Sequence, residues 1–562
     1  MSLTARVEAL LVDAFAACGL PTEGARASRA TRPEADLQCN GALALARPLG
    51  RPPRALADAV LQVLADRPEF ADVTVAGAGF INLRLADGFL SACASAQATS
   101  PDLGIAQSAA DQTVMLDFGG QNVAKPLHVG HLRSLVIGES LRRILSAQGA
   151  RTISDIHLGD WGLQMGMLIA ALRGKPVPSM EELQTLYPAV AAACRDDPAR
   201  MAEAREATAA LQAGEPEAMA LWRSLRAVSL EAQSRDIALV GAHFDLLLGE
   251  SDVQDLIAPM VADLRARGVA EPSEGALVIT VVGPEDAKPM PPLLLEKSDG
   301  AALYATTDLA TILARTRPPR PDRILYVVDQ RQALHFEQVF RAARKAGFAD
   351  GVELVHVGFG TVNGVDGKPY KTRAGGVAQL ADLLGDAIDK AAERLPETPP
   401  ELDREALARL VALAAVKFAD LSSFRTSGYV FDAERLVSFE GRTGPYVQYA
   451  CVRIASILAR AAAAGAHPGT IALAAPAERA LALDCARLPD VVAGASRNLA
   501  PNEIADYAFA LAQSFSRFYT ECPVLGAASE AERASRLALC GLVLAVQSKA
   551  LWLLGIAIPP RM

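Results

Sequence analysis

Two histidines stand three residues apart in His128-Val129-Gly130-His131, a spacing that puts both imidazoles on one face of a helical turn. A helix beginning there offers free N–H groups and the positive end of the peptide dipole, a natural seat for phosphate. Gly130 removes a side chain between the rings, so a flat base can approach the backbone. Read alone, the four residues also describe an ordinary helix start. A metal site is a poorer fit, because no Cys or Glu cluster accompanies them. A second, cationic set is Lys368, Lys371 and Arg373 in the glycine-flanked run GKPYKTRAGG (367–376). Cationic loops at strand ends suit negative charge developing on phosphate, although a solvated turn has the same composition. A third set is Asp117, Asn122, and Tyr304 with Asp308 four residues on. A planar guanidinium calls for carboxylates that accept paired hydrogen bonds. Beside Thr306 and Thr307, Asp308 is equally suited to capping a helix.

These side chains need a frame. TVMLDF (113–118) reads as a short apolar strand, and a Gly- and Pro-containing loop leads from it into a helical run from His128 to Gln148. Leu132, Leu135, Val136, Leu141, Ile144 and Leu145 recur there at helical spacing, and Gly149 stops the run. RTISDIH (151–157) is the next strand. Strand, helix and strand open a Rossmann-like, doubly wound α/β sheet, which favours the nucleotide reading of the histidines. From about 165 to 275, polar helices rich in Ala and Glu form an insertion. The α/β rhythm resumes at PPLLLEK, LYATT, the helix TDLATILART, the strand ILYVVD, the helix ALHFEQVFRAARKAG and the strand ELVHVGFG. The catalytic domain is thus expected over 113–393. Before it, 1–95 reads as a small α/β domain in which FADVTVAGAGFINLRLAD forms paired strands bent at Gly77 and Gly79, and 96–112 as a linker. After it, 394–403 is a second linker and 404–562 an all-helical domain without a convincing strand.

A chain of 562 residues requires more than one core. With 51% hydrophobic and 21% charged residues it is globular, not disordered. A net charge of -9 argues against nonspecific polyanion binding but leaves local basic patches free to hold nucleic acid. The eight cysteines have neither zinc nor redox spacing, which points to reduced thiols and a cytoplasmic protein. MSLTARVEALLVDAFAACG reads as an amphipathic helix and not a secretion signal. With no uncharged apolar stretch of about 18 residues, no membrane span is expected.

Together these residues resemble the arginyl-tRNA synthetase family. NVAKPLHVGHLRS (122–134) is similar to the family's form of the class I HIGH signature, and HLGDWGLQMGML (157–168) to the segment after it. YVVDQRQALHFEQ (326–338) and KPYKTRAGG (368–376) resemble two further blocks. TGPYVQYACVRI (443–454), SFSRFYTECPVL (514–525) and the closing Arg561-Met562 resemble the anticodon-binding bundle. NGALALA (40–46) and GFINLRL (79–85) resemble the domain that touches the outer corner of the tRNA. The resemblance covers almost the whole chain and is weakest across the insertion.

It implies an arginine–tRNA ligase that uses ATP, with Mg2+ brought by the nucleotide and no protein-bound metal, and with arginine and its tRNA as partners. His128, His131 and Gly130 would bind ATP, and Lys125, Lys371 and Arg373 would join the histidines in catalysis. Asp117, Asn122, Tyr304, Asp308 and Gln332 would bind arginine, Asn122 at the α-amino or carboxylate end and Tyr304 with Asp308 at the guanidinium. Phe80 and Asn82 match positions that contact a D-loop base, and Tyr446 and Tyr449 match anticodon-side positions. Two departures stand out. Gln121 occupies a position where many members have proline, and Thr372 stands where the KMSKS signature has its second lysine. Lys125 lies three residues before His128, and Pro126 restricts it to extended conformations. Its ammonium is therefore expected to replace the missing charge. Another HxGH adenylyltransferase is the nearest rival, opposed by the long helical C-terminal region. An inactive RNA-binding paralogue is the other, opposed by intact His128, His131, Lys125 and Asp308.

Overall fold

The computed structural model describes the chain apart from residues 31, 33, 285, 299–301, 371–377 and 396–402. Lys371, Thr372 and Arg373, and most of the second linker, lie outside the described residues. The chain divides into two compact units, one of Ala109–Glu393 with Ala419–Val437, the other of Met1–Ser108, Arg394–Phe418 and Ser438–Met562.

The first unit is built on a four-stranded parallel sheet, in the order Glu353–His356, Arg323–Tyr326, Thr113–Asp117, Arg151–Asp155. Val114, Leu116, Ile324 and Leu325 are all fully buried, the pattern of strands covered on both faces. Register places Asp117 between Asp155 and Tyr326 at the carboxyl ends of the strands, where such sheets take their ligands. The helix Val129–Ala147 packs closely over the first strand. A Cβ at Gly138 would lie 2.3 Å from the Phe118 ring, so glycine is required there.

PPLLLEK does not resume the parallel sheet. Leu293–Glu296 pairs antiparallel with Ala276–Ile279, which pairs in turn with Glu271–Ser273. A four-residue apolar run looks the same in either kind of sheet. LYATT does not form a strand either; the helix Tyr304–Arg315 starts inside it. The helices Leu163–Leu172, Met180–Asp196, Pro198–Gln212 and Pro216–Val240 share a core that includes Met165, Leu168, Leu211 and Leu225. Val123 and Ala124, from the loop before the histidines, belong to the same core.

Residues 419–437 belong to this unit although they follow the second linker. Tyr429–Val430 is a short strand, parallel to Val362–Asn363, in a region read as wholly helical. Asp420, fully buried, pairs with Arg133 Nε at 3.2 Å, and Arg133 Nη1 donates to Ser427 O at 2.8 Å.

In the second unit the expected hairpin forms from Phe70–Ala76 and Phe80–Leu85. Gly77 and Gly79 turn it with φ of +55° and +141°. Two shorter strands, Ala27–Arg29 and Leu37–Cys39, complete a four-stranded sheet. The helical part comprises most of Arg404–Leu421 and the helices Gly444–Ala463, Pro476–Ala486, Leu488–Asn498, Asn502–Glu521 and Glu530–Leu553. By length and composition Glu530–Leu553 could cross a membrane, but 61% of its apolar window is buried in the protein, where it is a core helix. Arg479 ties the two regions together. Its guanidinium donates to both Asp36 oxygens at 2.7 and 2.6 Å, to Asp87 at 2.7 Å and to Leu85 O at 2.8 Å. Arg479→Ala would leave Asp36 with Arg84 at 3.4 Å as its remaining cation, so denaturant titration should show this unit weakened by about 1.5–3 kcal/mol.

Candidate active site

His128 caps the helix Val129–Ala147 from an extended conformation, and its Nδ1 accepts Gly130 N–H at 3.0 Å. His131 Nδ1 accepts His128 N–H at 3.0 Å. The rings stack at 3.8 Å between centroids, 28° apart. Because each Nδ1 accepts, the proton of each neutral ring resides on Nε2, which becomes the outward donor. Burial, followed by Lys125 and Arg331, lowers the His128 pKa. His131 is pushed down to about 3 by burial, then by His128 and Lys125. At neutral pH the pair therefore offers two hydrogen-bond donors and no cation.

Lys125 and Arg331 are the cations whose charge reaches His128, and Lys125 Nζ sits 4.6 Å from the centroid of the Tyr187 ring. Burial lowers its pKa. The C-terminal root of the second cationic loop is stitched beside His128: Val129 N–H donates to Ala378 O at 3.0 Å and Leu380 N–H to Leu127 O at 2.9 Å.

The polar set divides. Tyr304 and Gln332 line a cavity of about 450 Å³ together with Leu294, Leu303, His335 and Gln338. Asp308 lies one turn into the helix Tyr304–Arg315 and does not cap it. Its Oδ2 is 2.6 Å from His335 Nε2, and His157 Nε2 is 3.8 Å from Oδ1. Thr306 does the local work instead, accepting Leu303 N–H and donating to Leu295 O. Glu250, which sequence reasoning missed, lies close enough to the Tyr304 hydroxyl for each to shift the other. Burial, then the charges of Asp308 and Asp160, push its carboxyl up to about 7. Burial of its hydroxyl end, then Glu250, Asp308 and Asp117, push the Tyr304 hydroxyl up, although the residue as a whole is 61% exposed.

Asp117 faces inward. Arg315 donates to Asp117 Oδ2 at 2.5 Å and to Asp155 Oδ2 at 2.8 Å, with all three residues buried. Asn122 sits with the histidine loop, its side chain lying so close over Gly159 that a Cβ there would meet Oδ1 at 2.1 Å.

The remaining residues lie in the other unit. Asn82 is in register with Gln38 and Thr74 across the sheet and is 7% exposed; Phe80 is half-buried two residues earlier. Tyr449 is 44% exposed. Tyr446 is half-buried, with its ring centroid 5.5 Å from that of Phe509. Arg453, one turn beyond Tyr449, lies 4.2 Å over the Tyr519 ring, a pairing that spacing alone did not reveal.

The sequence that builds the paired histidines and the acidic pocket is matched over its full length among known proteins. The chain is 48% identical to the arginine–tRNA ligase of Maricaulis maris, with 100% of each chain covered. The chain belongs to the arginyl-tRNA synthetase family. Residues 96–433 of this synthetase match the model described as tRNA synthetases class I (R), catalytic domain. Residues 7–85 match the arginyl tRNA synthetase N terminal domain, and 447–562 the DALR anticodon binding domain. The synthetase is also 45% identical to the arginine–tRNA ligase of Hyphomonas neptunium, again over 100% of both chains. The solved arginyl-tRNA synthetase of Thermus thermophilus superposes on it with a TM-score of 0.83 at 27% identity, covering 100% of each chain.

Proposed function

We propose that this synthetase takes the arginine guanidinium between Asp308, Glu250 and the Tyr304 hydroxyl, with Gln332 at the rim of the cavity. One observation carries this reading: Tyr304 and Gln332 line one cavity, Asp308 stands one turn on from Tyr304 in the same helix, and the Glu250 carboxyl is pushed up to about 7 by burial, Asp308 and Asp160. A cation placed among these groups stabilises the carboxylate and displaces its proton. Asp117, one oxygen of which is on Arg315, adds its field to the pocket. Asn122 meets the α-amino or carboxylate end of the amino acid.

The arginine carboxylate attacks the α-phosphorus of ATP, and pyrophosphate leaves. No protein base is required, because the nucleophile is already an anion. His128 and His131 donate from Nε2 to phosphate oxygens over Gly130, and Lys125, Lys371 and Arg373 supply positive charge, with Mg2+ arriving on ATP. The terminal ribose hydroxyl of the tRNA then attacks the adenylate carbonyl and AMP leaves. Catalysis is positioning plus charge stabilisation. Phe80 and Asn82 contact a D-loop base, and Tyr446 and Tyr449, joined by Arg453 and Tyr519, receive unstacked anticodon bases. The tRNA is needed before adenylate forms, and the eight free thiols suit a cytoplasmic enzyme.

Because Glu250 ionises fully only when the guanidinium binds, arginine affinity should rise from pH 6 to pH 8, with proton release near pH 7. Calorimetry in two buffers of different ionisation enthalpy measures that release directly. Glu250→Gln should abolish it, and a flat affinity in the parent enzyme would remove Glu250 from the pocket. Charging of bulk tRNA with each labelled amino acid in turn tests the activity itself.

A further inference from the structure

The residues from Asn122 to Lys125 are held by the helix Pro216–Val240, which belongs to the insertion. Gln233, 1% exposed, donates both hydrogens of its amide, one to Asn122 O and one to Lys125 O, each at 2.8 Å. Ser229, one turn earlier and fully buried, accepts Ala124 N–H at 2.9 Å while its own hydrogen goes to Leu225 O at 2.6 Å. Ala124 has φ +61°, a left-handed conformation that an L side chain rarely adopts without support. Its methyl and the Val123 side chain are buried in the core of the insertion helices. Tyr187, on the helix Met180–Asp196, receives the Lys125 ammonium at 4.6 Å.

We propose that Gln233 and Ser229 are positioning residues for arginine activation, fixing the backbone of 122–125 so that Lys125 leaves it toward the phosphates held by the histidines. The proposal rests on the reading of Lys125 given above and adds the groups that aim it. A carboxamide suits this position because it presents two neutral donors to two carbonyls. A lysine or arginine could reach the same oxygens but would set a second cation beside Lys125. Both positions fall in a stretch of sequence that carries no signature.

The test is arginine- and tRNA-dependent ATP–pyrophosphate exchange on the full chain. Gln233→Met keeps the length and removes both donors; Ser229→Ala is the milder change. Misplacement of a catalytic group by about 1 Å costs up to roughly a hundredfold, so Gln233→Met should lower kcat by about ten- to a hundredfold. Its thermal midpoint should stay near that of the parent, and Ser229→Ala should follow with a smaller loss. If Gln233 acts through Lys125, the same change made on Lys125→Ala should cost less than about threefold, because the two effects are then not additive. An equal loss in both backgrounds overturns the proposal, as does parental exchange in both single variants. Should Gln233→Met fail to fold, the Ser229→Ala pair decides. A Lys125→Ala enzyme at the parental rate would remove the reading of Lys125 and the proposal with it. An impaired Lys125→Ala beside a parental Gln233→Met would sink the proposal alone.

Discussion

Lysine should be activated about ten-thousandfold less efficiently than arginine, measured as kcat/KM in pyrophosphate exchange. The size follows from what each cation leaves behind. Arginine brings a planar fork of donors that can engage Asp308, Glu250 and the Tyr304 hydroxyl together. The lysine ammonium is a compact point charge that cannot span the same acceptors. Glu250 is already pushed up to about 7 with Asp308 and Asp160 nearby, so any acceptor left unpaired costs more here than it would in water. A site built to hydrogen-bond a group rejects the analogue lacking it far more strongly than an apolar pocket rejects a missing methylene. Lysine exchange within about a hundredfold of arginine would mean that these three residues do not form the selecting surface.

Lys125→Ala should depress arginine activation by roughly a hundredfold, the usual cost of about 3 kcal/mol for removing one preorganised donor to developing charge. Both histidines are held neutral, so the loop loses its nearest positive charge. The KM for arginine should change less than kcat, because the ammonium acts mainly in the transition state. Adding Thr372→Lys should restore part of the rate, since it supplies charge from the second signature. A Lys125→Ala enzyme within about threefold of the parent, under 1 kcal/mol, would show that Lys125 is a bystander.

Elements with a strong period were readable from the chain. TVMLDF, RTISDIH, ILYVVD and ELVHVGFG contain the four strands that pair in the central sheet, and the helix read from His128 to Gln148 spans Val129–Ala147. The Gly77 and Gly79 turn was legible because glycine marks positive φ. What could not be read are relations between distant residues. Glu250 is 54 positions before Tyr304 and lies on a short 3-10 turn, so no spacing connects it to the pocket. Asp117 looks like a ligand for a substrate guanidinium, yet its Oδ2 is taken by Arg315, 198 residues away. Gln233 and Ser229 carry no motif, because an amide that holds backbone carbonyls can belong to any polar helix. The return of residues 419–437 to the catalytic unit was equally hidden, since a two-residue strand has no period. That return alters what a truncation means. A 1–400 fragment would lose Asp420, the buried partner of Arg133 on the histidine helix, along with the anticodon-binding region.

Asp36 and Arg479 are separated by 443 positions. At a synthesis rate of roughly 5–20 residues per second, the arginine leaves the ribosome about 20 to 90 seconds after its carboxylate partner. Throughout that interval Asp36 has Arg84, at 3.4 Å in the N-terminal sheet, as its cationic partner. The Asp36–Arg479 contact therefore forms only after most of the chain has been made, and the N-terminal sheet must hold its shape until then. Among the described residues, a chain that stops before Arg479 keeps only the Arg84 and Leu85 contacts of the Asp36 carboxylate, both of which lie within the N-terminal region.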